Sequence, residues 1–316
     1  MEKYNFKKEI IKISLFLIFL FTLTGYLSDI YWIFELTSHF KLQYLLISSL
    51  LLFIILIYRD VKWIFVGILC VCINISCVTQ WYFSDKTILN RHQNYSSLKI
   101  LLSNVNQLNN SYLKIQNLVI KEQPDILVLL EVDEHWKNNL LILNNQFKYK
   151  KFKYQNNYFG IAVFSKIAFD NSDILFLGKS GFPTIICKLI INNQPLTLIA
   201  THPCSPAGRH NYYLRNDQLN SISEKIKQIS NHLILVGDLN ITMWSNDYKK
   251  FISKSGLYNA RKGFGILPSW PAAFPYPLRI PIDHCLLSSD LKVKEIKLAD
   301  NIGSYHLPVI IDICKI

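Results

Sequence analysis

Residues 232–240, HLILVGDLN, form an apolar run that ends abruptly in a carboxylate and an amide. Leu, Ile and Val follow one another without alternation, a pattern typical of a strand that is buried on both faces. Gly237 closes the run, and Asp238 and Asn240 come directly after it. The stretch therefore predicts a central strand of a layered sheet, with polar side chains at its carboxyl end.

Seven other runs between residues 98 and 313 are similarly apolar. Stretches with a helical spacing of apolar residues lie between some of them, at 108–121 and 214–229. Short apolar runs mixed with helices predict an α/β or α+β sandwich. The seven runs are 98–103, 125–130, 158–165, 184–191, 195–200, 284–289 and 307–313.

Polar residues at the ends of these runs are the main functional signal. Four runs finish in a carboxylate, an amide or an imidazole, and two more begin next to an aspartate or a histidine. A single such residue usually caps a helix or forms a turn. Polar groups at successive strand ends, however, converge on one edge of a sheet, where ligands bind. The residues concerned are Asn104, Glu131, His202, Asp238, Asn240, Asp283 and His306.

Six motifs built around these residues resemble, in order and spacing, those of the endonuclease/exonuclease/phosphatase superfamily. Residues 159–166, FGIAVFSK, also look like the G-x-A-x-x-S-K strand of that superfamily. The resemblance covers residues 98–316 and implies a four-layer α/β/β/α sandwich with the site at one edge of the paired sheets. The motifs are Ser103-Asn104-Val105-Asn106, Leu130-Glu131, Thr201-His202-Pro203, Gly237-Asp238-Leu239-Asn240, Pro281-Ile282-Asp283-His284 and Gly303-Ser304-Tyr305-His306-Leu307-Pro308.

The side chains of the first two motifs predict a site for a hard cation. Glu131 and Asn106, with Asn104 beside them, offer only oxygen atoms, which suit Mg²⁺ or Mn²⁺ and not zinc. A cation bound there would polarise a phosphoryl oxygen and stabilise the leaving oxygen. We therefore predict Glu131 and Asn106 as metal ligands in a hydrolase of phosphomonoesters or phosphodiesters.

Five residues are predicted to carry the reaction. Asp238 would orient and deprotonate the attacking water, and the Asn240 amide would hold Asp238 or a phosphate oxygen. His306 would donate to the phosphoryl oxygens, while Asp283 fixes its tautomer and raises its basicity. The resemblance places His202 as a second histidine that contacts phosphate or acts as general acid. Since no covalent intermediate is needed, no activated serine or cysteine is expected.

Three further residues are predicted to bind substrate: Asn104, Arg215 and Trp270. The Arg215-Asn216 pair, the segment around Trp270 and the apolar N-terminal stretches look like the membrane-anchored bacterial branch of the superfamily. This branch would carry the catalytic domain on transmembrane helices.

Two positions depart from the superfamily pattern. Tyr305 stands where relatives usually have Asp before the last histidine, and Asn106 stands where many of them have Asp. Fewer carboxylates weaken the attraction for a metal cation. A weakly active or inactive binding module is therefore an alternative to the enzyme.

The N-terminal part of the chain is too apolar for an ordinary soluble protein. Hydrophobic residues make up 50% and charged residues 18% of the 316 residues, and the mean hydropathy is +0.19. Uncharged stretches of 16, 17 and 22 residues follow Lys12, Lys41 and Lys62. Each approaches the roughly 20 residues that cross a bilayer as a helix. A cleaved signal peptide is the alternative for the first stretch, but no small-x-small cleavage site follows it.

Basic residues predict the orientation of these spans. Four Lys precede the first span, and Arg59 and Lys62 lie between the second and third. The positive-inside rule then places the N-terminus and the 58–62 turn in the cytoplasm, and the catalytic domain outside it. We predict an integral protein of a bacterial inner or plasma membrane. Its parts are an anchor at 1–84 with helices at about 13–34, 42–58 and 63–83, a linker at 85–97 and a catalytic domain at 98–316.

The charge balance of residues 85–316 is basic, with 27 Lys and Arg against 17 Asp and Glu. This surplus fits an anionic partner such as phosphate, nucleic acid or lipid headgroups, but a genome-wide bias toward Lys and Asn explains it equally well. A site tethered beside the lipid bilayer favours a lipid-linked phosphate or phosphodiester substrate. An extracytoplasmic nuclease is the second alternative, and a non-enzymatic membrane receptor is the third. The oligomeric state is left open.

Overall fold

The structure, a computed structural model, describes residues 2–83 and 97–314. The predicted linker, 85–97, lies outside the described residues except for its last position. The helices are α1 (Glu2–Thr24), α2 (Trp32–Leu36), α3 (Lys41–Tyr58), α4 (Val61–Thr79), α5 (Tyr112–Glu122), α6 (Glu134–Asn139), α7 (Arg209–Ile226) and α8 (Asn246–Ser255). The strands are β1 (Ser97–Asn104), β2 (Ile126–Leu130), β3 (Tyr149–Lys153), β4 (Ile161–Ser165), β5 (Phe169–Phe176), β6 (Pro183–Ile191), β7 (Gln194–Thr201), β8 (His232–Asp238), β9 (Tyr258–Asn259), β10 (Asp283–Leu287), β11 (Lys292–Leu298) and β12 (Val309–Cys314).

Three N-terminal segments are long and apolar enough to cross a membrane: Phe6–Leu27, Trp32–Tyr58 and Val61–Thr79. Between 17% and 22% of the most apolar window of each segment is buried inside the protein. The other apolar side chains of these windows need a nonpolar environment, which a lipid bilayer provides.

The first long helix ends earlier than the sequence indicates. The predicted span reached residue 34, but α1 ends at Thr24 and is followed by a 3₁₀ turn at Gly25–Leu27. At Gly25 the chain passes so close to Ser38 that an added Cβ would lie 2.9 Å from the Ser38 Cα. Helix α2 is therefore a separate element, and a 3₁₀ turn at Thr37–Phe40 joins it to α3.

The remaining chain forms two mixed six-stranded sheets. The first has the order β11-β12-β1-β2-β4-β3 and the second the order β5-β6-β7-β8-β10-β9. Strands β1 and β2 are parallel in the first sheet, and β7 and β8 are parallel in the second. The other strand pairs are antiparallel.

Side chains along a strand point alternately to the two faces of its sheet, and this alternation accounts for the layers of the fold. In β1, Ile100 and Leu102 point into a core shared by both sheets, whereas Leu101 packs with α5 on the outer face. In the second sheet, Val236 of β8 faces the shared core, and Leu235 packs under α7 and α8. Both faces of β1 and β8 are therefore buried, which is why such runs read as continuously apolar. The predicted four-layer α/β/β/α sandwich is confirmed.

The eight predicted strands are all present, but four others escaped prediction. Strands β3 (YKKFK), β5 (FDNSDILF) and β11 (KVKEIKL) lie at or near sheet edges and are at least partly exposed on one face. Polar residues are tolerated there because only one face needs to be apolar. Strand β9 has two residues, too few to give a pattern.

The anchor, residues 2–83, packs directly on the helical layer over the second sheet. Val78 of α4 is buried in the same cluster as Trp244, whose Nε1 donates to the Cys77 carbonyl at 3.0 Å. Arg215 of α7 and Glu35 of α2 form an ion pair at 3.3 Å, and both side chains are fully buried. The anchor and the domain thus share an interface that is partly apolar and partly ionic.

We expect Glu35→Leu to destabilise the detergent-solubilised full chain by about 3–5 kcal/mol, because it leaves the Arg215 guanidinium buried without this counter-charge. The double variant Glu35→Leu/Arg215→Met should recover most of that loss, since an apolar pair can replace a buried ion pair. Thermal unfolding measures both.

The control is Glu134→Leu, which removes an exposed pair with Lys137 and should cost no more than about 1 kcal/mol. If Glu35→Leu and Glu134→Leu lower the free energy of unfolding by similar amounts, the buried pair contributes no more to stability than the exposed one.

Candidate active site

Strand pairing brings the predicted site residues to one edge of the two sheets. In the antiparallel pair of β8 and β10, Asp238 lies opposite Asp283. In the parallel pair of β1 and β2, Asn104 lies beside Leu130, so that Glu131 follows at the same end. The edges of both sheets meet here, because the Asn104 amide donates to the Asp238 carboxylate at 3.3 Å.

A buried cluster of two carboxylates and two imidazoles forms the centre of the site. His306 Nδ1 lies 2.9 Å from Asp283 Oδ2, and its Nε2 lies 3.6 Å from Asp238 Oδ2. His202 Nε2 approaches the same Asp238 oxygen at 3.5 Å. None of the four side chains is more than 8% exposed. The Asp238 carboxylate is therefore held between two histidines.

The charges in this cluster shift the pKa values of its members. Burial opposes the charged form of His306, but the Asp283 and Asp238 carboxylates outweigh it and raise the pKa of His306 to about 9. For His202, Asp238 likewise outweighs burial and raises the pKa. Burial also opposes ionisation of Asp238, but the two histidines outweigh it and hold the pKa of Asp238 well below its usual value. At neutral pH Asp238 is ionised and His306 carries a proton.

Two serines that sequence analysis missed support the cluster. Ser269 Oγ donates to Asp283 Oδ2 at 2.5 Å. Ser304 Oγ donates to the Asn104 carbonyl at 2.7 Å and accepts from the His306 backbone N–H at 3.1 Å. Both serines lie in segments that the sequence singled out, directly before Trp270 and within the last motif. Their proximity to those motifs is the signal that could have identified them.

Another histidine, His284, has a structural role although it adjoins Asp283. Its Nε2 contacts the Ile241 carbonyl at 2.7 Å, and the Asn259 amide donates to its Nδ1 at 3.0 Å. Burial, helped by the nearby Arg261, lowers the pKa of His284 to about 3. The neutral ring therefore fastens the loop after β8 to the start of β10.

Three site residues lie in the left-handed region of backbone conformation. The φ angles are 59° for Asn106, 63° for Glu131 and 50° for Asn240. Residues other than glycine seldom adopt this conformation, and those that do often lie at functional sites. Each turns the chain sharply where an apolar strand has just ended, which directs the polar side chains toward the sheet edge.

The site opens into a pocket of about 830 Å³. Seven of the ten predicted site residues line it, while the buried Asp283 lies behind His306. One wall comes from the anchor, through Leu36, His39 and Phe40, and no sequence pattern predicts this contribution. The predicted residues on the pocket surface are Asn106, Glu131, His202, Asp238, Asn240, Trp270 and His306.

Asn104 and Arg215 were predicted to bind substrate, and the structure does not support this. The Asn104 amide is buried, and its two N–H groups are taken by Glu131 at 2.8 Å and Asp238 at 3.3 Å. Arg215 is also buried, and it donates to the Asn240 carbonyl at 3.0 Å from behind the site. Both residues position other site residues and do not face the pocket.

A sequence model described as the endonuclease/exonuclease/phosphatase family matches residues 101–306. The chain belongs to this family. The matched region starts within β1 and ends at His306, so it includes every predicted site residue. A comparison with curated protein sequences found no match.

Solved structures of family members share the fold at low sequence identity. TDP2 of D. rerio, complexed with a single-strand DNA product, is 17% identical with a TM-score of 0.60, over 70% of this chain and 100% of that one. The human Nocturnin catalytic domain with bound sulfate is 20% identical, with a TM-score of 0.58 over 69% and 94%. A family protein from Leptotrichia buccalis is 18% identical, with a TM-score of 0.57 over 68% and 99%.

The chemistry of the donors fits the divalent metal on which enzymes of this family generally depend. Among the described residues, Asp238, Asp283 and His306 have potential ligand atoms within 4.8 Å of one another. Asp283 Oδ1 is buried without a hydrogen-bond partner, an arrangement that a cation would satisfy. Glu131, which lines the pocket with Asp238, adds a third carboxylate near this cluster. The predicted pair Glu131 and Asn106 is thus extended by the carboxylates Asp238 and Asp283, which were predicted for catalysis alone.

Tyr305, the departure from the family pattern, lines the pocket and is 59% exposed. Its carbonyl accepts from the Ala272 N–H at 2.7 Å, which ties this loop to the segment after Trp270. The phenol offers no carboxylate at this position. The acidic groups that remain to bind a cation are those on β8, β10 and the end of β2.

The raised pKa of His306 predicts how stability depends on pH. Below the unfolded-state pKa of about 6.5 the protonated ring contributes its full stabilisation, and this is lost as the pH rises through about 9. His202 acts in the same direction. We therefore expect the melting temperature of the full chain, kept metal-free with EDTA, to fall between pH 6.5 and 9.5.

His306→Gln should reduce this fall, whereas His210→Gln, at an exposed histidine, should leave it unchanged. If wild type and His306→Gln lose the same stability over this range, the assignment of the raised pKa is wrong.

Proposed function

We propose that the chain is a membrane-anchored, divalent-metal-dependent hydrolase of phosphomonoester or phosphodiester bonds. The observation that carries the proposal is the buried Asp238 carboxylate between His202 and His306, in a pocket that also contains Glu131. The cationic His306 imidazole can bind a phosphoryl group, and the ionised Asp238 carboxylate beside it can activate water in the same small volume.

In the proposed mechanism Asp238 orients the attacking water and accepts its proton. The water oxygen forms a new bond to phosphorus while the bond from phosphorus to the leaving oxygen breaks. His306 is protonated and held by Asp283 through Nδ1, so its Nε2 proton is available to the phosphoryl oxygens. His202 donates a proton to the leaving oxygen, which balances the proton taken from water.

Two residues are assigned supporting roles in this mechanism. The Asn240 amide donates to the Pro203 carbonyl at 3.0 Å and lies 3.3 Å from His202 Nε2, so it holds the His202 loop against Asp238. Trp270 lines the pocket and lies near the His306 ring, at 6.5 Å between centroids. We assign it a contact with the part of the substrate beyond the phosphate.

Glu131 and Asn106 are proposed to hold Mg²⁺ or Mn²⁺, with Asp238 and Asp283 as further carboxylates nearby. When bound, such a cation neutralises charge that develops on the phosphoryl and leaving oxygens.

The anchor is proposed to cross the membrane three times, with the N-terminus in the cytoplasm and the catalytic domain outside it. Lys8 and Lys12 lie 3.3 and 3.2 Å from Asp60. The basic N-terminus and the turn before α4 therefore lie at the same end of the helices. This supports the prediction that both occupy the cytoplasmic face. A site held on the other side of a membrane favours a lipid-linked phosphate as substrate.

Two alternatives remain. The likeness in fold to TDP2, solved with a single-strand DNA product, and the basic surplus of residues 85–316 both fit an extracytoplasmic nuclease. The replacement of the usual Asp by Tyr305 fits a weakly active or inactive binding module. A nuclease would lose affinity steeply with salt, because binding releases counterions from the phosphate backbone.

We expect the purified full chain to hydrolyse at least one substrate in a panel of plasmid DNA, phosphatidyl and sphingosyl headgroup esters and undecaprenyl pyrophosphate, with Mg²⁺ or Mn²⁺. His306→Ala and Asp238→Asn should each lower kcat/KM by about 10²–10⁴-fold, since each removes a group that transfers or directs a proton. EDTA should abolish the activity and added metal should restore it.

The matched control is His210→Ala, at an exposed histidine that does not line the pocket. It should retain wild-type kinetics. A wild-type chain inert on the whole panel with either metal would leave the binding module as the better account.

A further inference from the structure

The wall of the pocket that comes from the anchor is apolar and faces apolar residues of the domain. Leu36 and Phe40 lie on the anchor side. Trp270, Ile280 and Ile282 lie on the domain side. We call these five residues the apolar wall. It lines the same pocket as Asp238 and His306, so a phosphate held at the catalytic cluster would have hydrocarbon surface within the same enclosure.

The apolar wall continues into the membrane-spanning part of the chain. Phe40 directly precedes α3, and its ring lies 6.3 Å from that of Tyr44 on the first turn of this helix. On the same turn, the Gln43 amide donates to the Pro277 and Arg279 carbonyls at 2.8 and 3.0 Å. The anchor side of the apolar wall thus lies where α3 enters the bilayer in the proposed topology.

The loop that rests on α3 carries exposed apolar side chains at this level. Phe274 is 51% exposed and Leu278 is 53% exposed, and Tyr276 lies between them. Exposed apolar residues grouped beside a membrane span are typical of a surface that contacts the bilayer interface. A lipid could therefore reach the pocket from the membrane without passing through water.

The charge of the pocket argues against a nucleic acid as its occupant. Among the described residues that line it, none is Lys or Arg. A groove that follows a nucleic-acid backbone needs cationic side chains along its length.

We propose that the apolar wall binds the first part of the hydrocarbon chain of a membrane lipid phosphoester, whose phosphate lies at Asp238 and His306. The inference rests on the proposed function, and it assigns the substrate to an amphiphile presented by the bilayer. The anchor then contributes directly to substrate selection, through Leu36 and Phe40.

The test uses two esters that share one reacting group, 4-nitrophenyl butyl phosphate and 4-nitrophenyl hexadecyl phosphate, with the full chain in detergent micelles. Burial of several methylene groups should give the wild type at least about a tenfold higher kcat/KM on the hexadecyl ester, mainly through KM. Leu36→Ala/Phe40→Ala should remove most of that preference, because it should lower kcat/KM on the hexadecyl ester much more than on the butyl ester.

Phe176→Ala provides the matched control, because Phe176 is exposed but does not line the pocket. It should keep the wild-type preference. Equal wild-type kcat/KM on the two esters, or an equal loss on both in the double variant, would overturn the inference.

A binding measurement separates failure of this inference from failure of the proposed function. Calorimetric titration with hexadecyl phosphate should show at least about fivefold weaker binding to Leu36→Ala/Phe40→Ala than to wild type, since apolar contact area is lost. Butyl phosphate should lose less affinity than hexadecyl phosphate, since its shorter chain buries less apolar area. This result in a chain that hydrolyses neither ester would support the apolar wall while contradicting the hydrolase. If the double variant instead binds a (dT)15 oligonucleotide more weakly than the wild type and binds hexadecyl phosphate equally well, the pocket binds nucleic acid and the inference is wrong.

Discussion

Burial of the Asp238 carboxylate is the constraint around which the site is built. A charged group taken out of water is strongly destabilising unless partners compensate it. Here the partners come from three different strand ends: His202 after β7, His306 before β12 and the Asn104 amide at the end of β1. Because β1 and β8 belong to different sheets, compensation of one charge holds the edges of both sheets together.

Two buried histidines in this small region have pKa values that are shifted in opposite directions. His306 and His284 are both buried, yet the pKa of one is raised and that of the other is lowered. The difference lies in their neighbours, since His306 faces two carboxylates whereas His284 lies near Arg261 and contacts neutral groups. Burial alone therefore does not identify a functional histidine, and the sign of the adjacent charge does.

Much of the fold and of the site could be predicted from local sequence. Strands buried on both faces leave continuous apolar runs, and polar groups that follow such runs must meet at a sheet edge, which located Glu131, Asp238 and His306. Edge strands such as β3 and β5 were missed because their exposed faces tolerate Lys and Asn. Arg215 was misjudged because its partner, Glu35, lies 180 residues away. The role of Leu36 and Phe40 depends on how the anchor docks, and no pattern within residues 32–40 indicates that.

Arg215 has a consequence for how the protein reaches its native state. Its guanidinium contacts Glu35 on the anchor and the carbonyl of Asn240 in the site, so neither half of the chain completes this arrangement alone. The N-terminal segment, residues 2–83, precedes the domain in the chain and is synthesised first. The domain would then finish folding against a surface that is already in place. In this order of events the N-terminal segment acts as an intramolecular template, and a domain released from it by truncation would be an incomplete product of folding.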